Sequence, residues 1–435
     1  MTPEQFYLIF LKYPEICIDS RLAKPGSVFF AINGDNFDGN EFVDEALDGG
    51  CDWAIVDNPK VRKQKQTLLV DNSLNFLQEL AKYHRSQLKI PVLGLTGTNG
   101  KTTTKELIVA VLSTKLNVVA TIGNLNNHIG VPLTILRANE KTEILVVEMG
   151  ANHEGEIKFL VDIAQPDSGL ITNIGHAHLE GFGSFEGVVR TKMELYDYLI
   201  SNSGTIFLNQ EDELLLSLIS DYPYHPYGNG SGRFPKSKVH HGLMLDFELD
   251  LNPVGVSERL IVKTQMVGEY NLQNALAALS VGNYFGITWE FGASALSKYS
   301  PGMNRSEYRV TEKNNLILDA YNANPTSMLE AFNNFASLEQ VNKLAILGDM
   351  RELGDFATQL HMEILEKAVK KNIELILIGE EFSKVAPKFI IRNPISSYLS
   401  VEDFITVLQN KPIKEREILL KGSRGIQLEK LVPFL

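Results

Sequence analysis

The chain has 435 residues, 44% of them hydrophobic and 22% charged, which is ordinary for a folded protein and longer than one hydrophobic core usually serves. With 53 acidic and 41 basic side chains the formal charge is −12, which argues against a general binder of nucleic acid or anionic membrane and requires any anionic ligand to meet a local cluster of Lys and Arg. No apolar run of about 18 residues is present to span a bilayer. The start, MTPEQFYLIFLKYPEI, is interrupted by Glu4, Lys12 and Glu15 and is not expected to act as a signal peptide. Cys17 and Cys51 are too few for a disulfide framework and too far apart for a CxxC site, which fits a reducing cytoplasm.

In chain order, residues 1–88 carry the short apolar runs SVFFAI (27–32) and DWAIV (52–56) between Gly/Asp/Asn-rich turns, then a helical stretch near 72–87. They predict a small α/β unit. Residues 89–302 open with PVLGLTG, a buried-strand pattern that runs into a glycine loop, followed by KELIVAVLSTKL with helical spacing. Further strands are expected at 117–121, 143–149, 168–174 and 204–209, alternating with helices as in a parallel sheet covered on both faces. Between about 222 and 268 the pattern loosens and predicts hairpins. Residues 303–435 restart the alternation in short units (NLILDAY, KLAILGDM, ELILIGE and EILLKGS as strands, each followed by a helix), predicting a smaller doubly wound domain. The fold class expected is therefore α/β with three domains: a small N-terminal unit, a central P-loop mononucleotide-binding parallel-sheet domain and a C-terminal Rossmann-like domain.

The loop GTNGKT at 97–102 has the parts a nucleotide site requires. Gly97 and Gly100 let backbone approach a phosphate, Lys101 supplies charge, Thr102 offers a hydroxyl to Mg²⁺, and the helix start adds amide donors. Its spacing departs from the common phosphate loop, which would need glycine where Leu95 stands. Glu148 ends the apolar strand EILVVEM, where a carboxylate can face the loop and hold Mg²⁺ directly or through water; the plainer reading is an acidic strand end at a turn. His178 follows another strand end, as a metal ligand, a phosphate partner or an ordinary loop histidine. Lys192, fourteen positions on, reads by itself as a solvated helix lysine. Asn271 and Asn274 are one helical turn apart, so both amides face one ligand such as an adenine edge, or Asn271 caps the helix and Asn274 lies on the surface. In YNANP, Asn322 and Asn324 stand at a strand-to-helix junction, with Asn324 as a ligand contact or an N-cap and Pro325 at the first turn. Asp319 is a strand-end carboxylate, and Arg305 is either a surface charge or a phosphate contact between domains.

Together these segments resemble the Mur ligase family, the ATP-dependent amide ligases of peptidoglycan precursor synthesis. The resemblance runs nearly the length of the chain: DSR at 19–21 with FFAINGDNFDGN, GTNGKT, NNHIGVP, EMGANHEGEI, GHAHLEGFGS, GEYNLQN, DAYNANP, LGDMRELG and LLKGSRG. The shorter loop GTNGKT is the family's own form. YNANP with LGDMRELG and HLEGFGS is similar to the members that add D-alanyl-D-alanine to UDP-N-acetylmuramoyl-tripeptide, and no DNPR-type motif of the third-residue-adding members occurs. The resemblance implies ATP and Mg²⁺ as cofactors, with Gly97, Thr98, Asn99, Gly100, Lys101, Thr102 and Thr103 around the phosphates. It implies Asn271, Asn274, Arg305 and Asp319 around the rest of the nucleotide. Thr102, Glu148 and His178 would serve metal, as would Lys192 if carbamylated, and Lys101, Glu148, His178 and Lys192 form the catalytic set. Ser20 and Arg21 would hold the uridine end of the substrate, Asn126, Asn127 and His128 would form the family's substrate loop, and Asn322 and Asn324 would lie on the dipeptide side. The implied partners are those two substrates, with no nucleic acid and no membrane insertion, for a cytoplasmic monomer. A GTPase switch is disfavoured because no NKxD motif occurs. A non-catalytic nucleotide module, a third-residue-adding ligase and a folate polyglutamate enzyme remain as rivals, the last leaving the DSR-containing block unexplained.

Overall fold

The computed structural model describes the whole chain except Asp35, residues 62–65, His178, Ser220, residues 231–233 and 253–257, Met303 and residues 390–394; the side chain of Leu179 is likewise left aside. Four sheets organise it. The first is parallel, formed in order by Glu15–Cys17, Ser27–Phe30, Trp53–Val56 and Thr67–Leu69. Its long helix Ser73–Gln87 starts where Asn72 accepts a hydrogen bond from the Asn75 amide, supplying one of the acceptors that the first helical amides lack.

The central sheet has six parallel strands in the order Tyr224–Tyr227, Thr205–Asn209, Ser168–Ile171, Val92–Thr96, Ile144–Glu148 and Val118–Ala120. Val92–Thr96 and Ile144–Glu148 are buried at every position, as expected for strands covered on both faces. Lys101–Leu112 and Leu272–Tyr284 pack against each other in the core over one face, while Glu156–Ala164 and Phe185–Ser201 pack into the core over the other. The strand Val92–Thr96 is flanked by Ile144–Glu148 on one side and Ser168–Ile171 on the other, so the loop that leaves it opens at the sheet's carboxyl edge, where ligands bind in open α/β sheets.

The loosely patterned stretch resolves into two structures. Lys236–His240, Met244–Asp250 and Arg259–Val267 form an antiparallel three-stranded sheet with the alternating burial of one wet face, in keeping with hairpins. Tyr224–Tyr227 instead extends the central sheet in parallel, an edge position that tolerates Pro226. The last sheet has the order Glu307–Val310, Asn315–Asp319, Glu417–Lys421, Lys343–Gly348, Glu374–Ile378 and Ile395–Tyr398, parallel except at the first pair. The expected final helix is two 3₁₀ segments, Arg424–Ile426 and Leu428–Phe434, the second containing Pro433, which cannot donate to an α-helical ladder.

Arg85 locks the helix Ser73–Gln87 to the central sheet. Its guanidinium donates to the carbonyls of Ala164, Leu88 and Gln165 and to Asp167, whose same oxygen accepts the Val92 amide. We expect Arg85→Ala to cost about 2 kcal/mol or more, seen as a lower thermal midpoint, because one buried and two part-buried carbonyls lose this donor. Arg85→Lys should recover little, since a point-like ammonium cannot serve that fork of acceptors.

Candidate functional site

The loop after Val92–Thr96 takes its shape from its glycines. Gly97 and Gly100 have φ of +145° and +77°, and a Cβ on them would lie 2.0 Å from Thr172 Oγ1 and 2.6 Å from Asn274 Oδ1. The neighbouring strand end pins the loop. Thr98 N donates to Asn173 O and Asn99 N to Asn173 Oδ1, both at 2.9 Å, and Thr172 Oγ1 donates to Asn99 O at 2.6 Å. Lys101 folds back, its ammonium donating to the carbonyls of Gly97 (2.8 Å) and Thr98 (3.1 Å). Burial lowers its pKa, with Glu148 opposing the shift and Arg305 adding to it.

Glu148 sits at the end of its strand, 1% exposed. Its Oε1 accepts from Thr102 Oγ1 (3.1 Å) and Asn126 Nδ2 (2.8 Å), while Oε2 has no hydrogen-bond donor and lies 3.9 Å from Lys105 Nζ. Lys105, which the sequence reading did not single out, is fully buried and donates to the carbonyls of Thr121 and Gly123, fastening the turn that leads to Asn126–His128. Its four-residue spacing from Lys101 was the available signal. Asn127 Oδ1 accepts from the Ile129 and Gly130 amides, and the His128 carbonyl accepts from Gln78 of the first unit.

Lys192 is not a solvated lysine. It is 2% exposed, its ammonium lies 5.4 Å from the centre of the Phe182 ring, and burial, reinforced by the charge of Lys101, lowers its pKa to about 7. Asn274 is buried rather than on the surface, and Asn271 makes no side-chain cap. The two amides pair with each other: Asn274 Nδ2 donates to Asn271 Oδ1, Asn271 Nδ2 donates to Val267 O and Ser306 Oγ, and Thr104 donates to Asn274 Oδ1.

The third unit supplies the opposite wall. Arg305 lies flat on Tyr321, 3.6 Å from the ring centroid, with its Nε buried and unpartnered. It is carried between Asn304 and Ser306, both at positive φ, an uncommon conformation for residues other than glycine. Asp319 is paired with Lys421, buried to 3% and 2.8 Å away, so this strand end has its counter-ion inside the fold. Asn324 is the N-cap, and it also reaches the phosphate loop. It caps the helix Pro325–Ser337 through a capping box with Ser327, and its Nδ2 donates to Asn99 Oδ1 of the loop at 2.7 Å. Asn322 uses Oδ1 to accept the Ala323 amide.

The segments 98–104, 126–128 and 271–274 meet Glu148, Arg305, Asp319, Asn322 and Asn324 around one cleft of about 990 Å³, although Leu272 is not among its lining residues. Ser20 and Arg21 are not gathered there; Arg21 forms a fork on Asp19 within its own motif and is exposed. His178 lies outside the described residues. Among the described residues no three His, Cys, Asp or Glu side chains form a metal cage. The arrangement of a pinned phosphate loop, a hydroxyl beside a buried carboxylate and a cationic wall from another unit suits a nucleotide-dependent group-transfer enzyme.

Comparison with known proteins agrees. The Mur ligase family catalytic domain matches residues 12–85, the Mur ligase middle domain residues 95–282, and the Mur ligase glutamate ligase domain residues 304–424. The chain belongs to the Mur ligase family. It is 35% identical to the UDP-N-acetylmuramoyl-tripeptide–D-alanyl-D-alanine ligase of Bacillus subtilis, over 97% of this chain and 92% of that protein. It is 33% identical to the ligase of the same name from Escherichia coli, over 97% and 93%. Its fold matches MurF from Acinetobacter baumannii with a TM-score of 0.86 at 29% identity, over 99% and 98% of the two chains. MurF from Thermotoga maritima in complex with ADP matches at 0.83 and 28%, over 98% and 97%.

The buried Lys192 gives a pH signature. Below about pH 7 folded and unfolded chains both carry the charge and folding bears its burial; between about 7 and the ordinary 10.5 the folded chain releases the proton first, so stability rises with pH. In CO₂-free buffer Lys192→Met should therefore melt higher than the parent near neutral pH. That gap should narrow by roughly 1 kcal/mol per pH unit towards alkaline pH, as followed by thermal midpoints.

Proposed function

We propose that the chain is an ATP-dependent ligase that joins D-alanyl-D-alanine to UDP-N-acetylmuramoyl-tripeptide through an acyl phosphate, in cytoplasmic peptidoglycan precursor synthesis. The observation that carries the reading is the bond from Asn324 to Asn99. It joins YNANP, the motif that the resemblance assigns to the dipeptide, to the phosphate loop, in a chain related over 97% of its length to UDP-N-acetylmuramoyl-tripeptide–D-alanyl-D-alanine ligases.

An amide forms in water only if the carboxylate oxygen becomes a leaving group. The tripeptide carboxylate attacks the γ-phosphorus, giving an acyl phosphate and ADP; the dipeptide amine then attacks the acyl carbon, and phosphate leaves the tetrahedral intermediate. In the first step two anions approach, so Lys101 exchanges its loop carbonyls for phosphate oxygens, and the loop amides and Arg305 take up the developing charge. Magnesium, when bound, offsets phosphate charge and polarises the transferred group. Thr102 and the donor-free Oε2 of Glu148 fit it, since this ion takes one or two carboxylates and completes its shell with phosphate and water. By family resemblance His178 would serve a second Mg²⁺, and Lys192, if carbamylated, would bridge or position metal. The burial that lowers the Lys192 pKa to about 7 favours the neutral amine, which is the form that adds CO₂.

In this reading residues 1–88 hold the UDP end through Ser20 and Arg21, 89–302 hold ATP, and 303–435 hold the dipeptide. Asn126, Asn127 and His128 face the peptide, and Asn271 and Asn274 shape the nucleotide pocket as one paired unit. The chain acts as a monomer, and no helix of the described residues is long and apolar enough to cross a membrane.

Phosphate release with both substrates and ATP, followed by the mass of the product, tests the assignment; a product that has not gained the dipeptide overturns it. Lys101→Ala should lower kcat/KM by at least about 100-fold in the same assay, as expected for loss of a group that stabilises transferred charge.

A further inference from the structure

Three loops meet at the carboxyl edge of the last sheet: 320–324, 349–352 and 422–425. They are bound through Ser423, whose hydroxyl donates to the Ala323 carbonyl (3.3 Å) and accepts the Arg351 amide (2.9 Å). From this junction project two exposed arginines, Arg351 and Arg424. They are close neighbours: a Cβ on Gly425 would lie 3.8 Å from Arg351 Nε. Among the described residues neither guanidinium has a carboxylate within ion-pair distance, although the chain carries a net charge of −12 and Arg309 and Arg416 of the same unit are both paired. Neither charge is neutralised from within the fold, so an arriving anion would meet two arginines on adjoining loops without displacing a resident carboxylate.

Their position narrows the anion. Arg424 lies 5.4 Å from the centroid of the Tyr321 ring, with its Nη1 donating to the Tyr321 hydroxyl at 3.4 Å, and Arg305 lies on the same ring at 3.6 Å. Arg305 and Tyr321 line the cleft that the phosphate loop shares, whereas Arg351 and Arg424 stand outside its lining. Tyr321 is thus shared by a cation that lines the cleft, Arg305, and one that stands outside its lining, Arg424. An extended dipeptide reaches about 7 Å, roughly the width of such a ring with a guanidinium beyond it. With its amine at the reacting carbon, its terminal carboxylate falls outside that lining, where a planar guanidinium can receive it in a fork.

We propose that Arg424, supported by Arg351, recognises the terminal carboxylate of the incoming dipeptide and so selects a free C-terminus. The proposal rests on the dipeptide-ligase reading given above. The ligand class is an α-carboxylate at the end of a short, uncharged peptide, and Tyr321 acts as the spacer that sets the distance to the reacting amine.

The test compares D-alanyl-D-alanine with its C-terminal amide, in the parent, Arg424→Ala and Arg424→Lys, by kcat/KM from phosphate release. The parent should prefer the acid by on the order of 100-fold, the scale of hydrogen bonds to a charged group. In Arg424→Ala the ratio should fall towards one, and Arg424→Lys should retain part of it. A parallel loss with acid and amide, leaving the ratio intact, would mean that Arg424 merely supports the loop, and would overturn the proposal. So would a parent that uses acid and amide equally. A parent that ligates neither dipeptide, while a different amino acid supports turnover, refutes the functional reading itself.

Discussion

Glu148 is taken out of water at the end of a fully buried strand, and a carboxylate so placed must be satisfied from the protein around it. Thr102 approaches from the phosphate-loop helix, Asn126 from the substrate-side loop, and Lys105 from one turn further along the helix, where it also holds the turn at Thr121 and Gly123. One group therefore sets the mutual position of the nucleotide loop and the segment 126–128. Because Oε2 has no donor, the network is complete on one side and open on the other, the property expected of a carboxylate kept for an ion that is not part of the chain.

The strands of the central and last sheets were legible because burial on both faces writes them as continuous apolar runs between glycine-rich turns. The phosphate loop was legible because backbone approach to phosphate restricts sequence so strongly. What escaped had weaker local signals. Glu307–Val310 and Ile395–Tyr398 are edge strands with polar, half-exposed residues, and Tyr224–Tyr227 carries a proline that argues against an interior strand. Lys192 was misread although a signal was present. Val188, Lys192, Leu195 and Leu199 recur at helical spacing, so the lysine stands in the apolar stripe of Phe185–Ser201. The pairing of Asn271 with Asn274 followed from their spacing, but that they would satisfy each other depended on Thr104 and Ser306, which are remote in sequence.

At the cleft the third unit meets the phosphate loop through short polar contacts, while beside it Val267 of the central unit packs into the third unit's apolar core. Asn324 serves a helix end and the loop at once, and Arg305 reaches the cleft from a backbone bent through two left-handed residues. Such contacts are directional and individually modest, so they define a geometry without fixing it permanently. That is the kind of joint a three-ligand reaction needs, since the substrates must enter before water is excluded.

Lys101 is bonded to two carbonyls of its own loop. The loop is thus already neutral in its hydrogen bonding, and a ligand gains only the difference between what it offers the ammonium and what those carbonyls offer. A weak or singly charged anion offers little more than a carbonyl pair, whereas a polyphosphate with several converging oxygens offers far more. Selectivity for a polyphosphate over a lone anion is thus built into the loop's own carbonyls, against which every anion must compete for the ammonium.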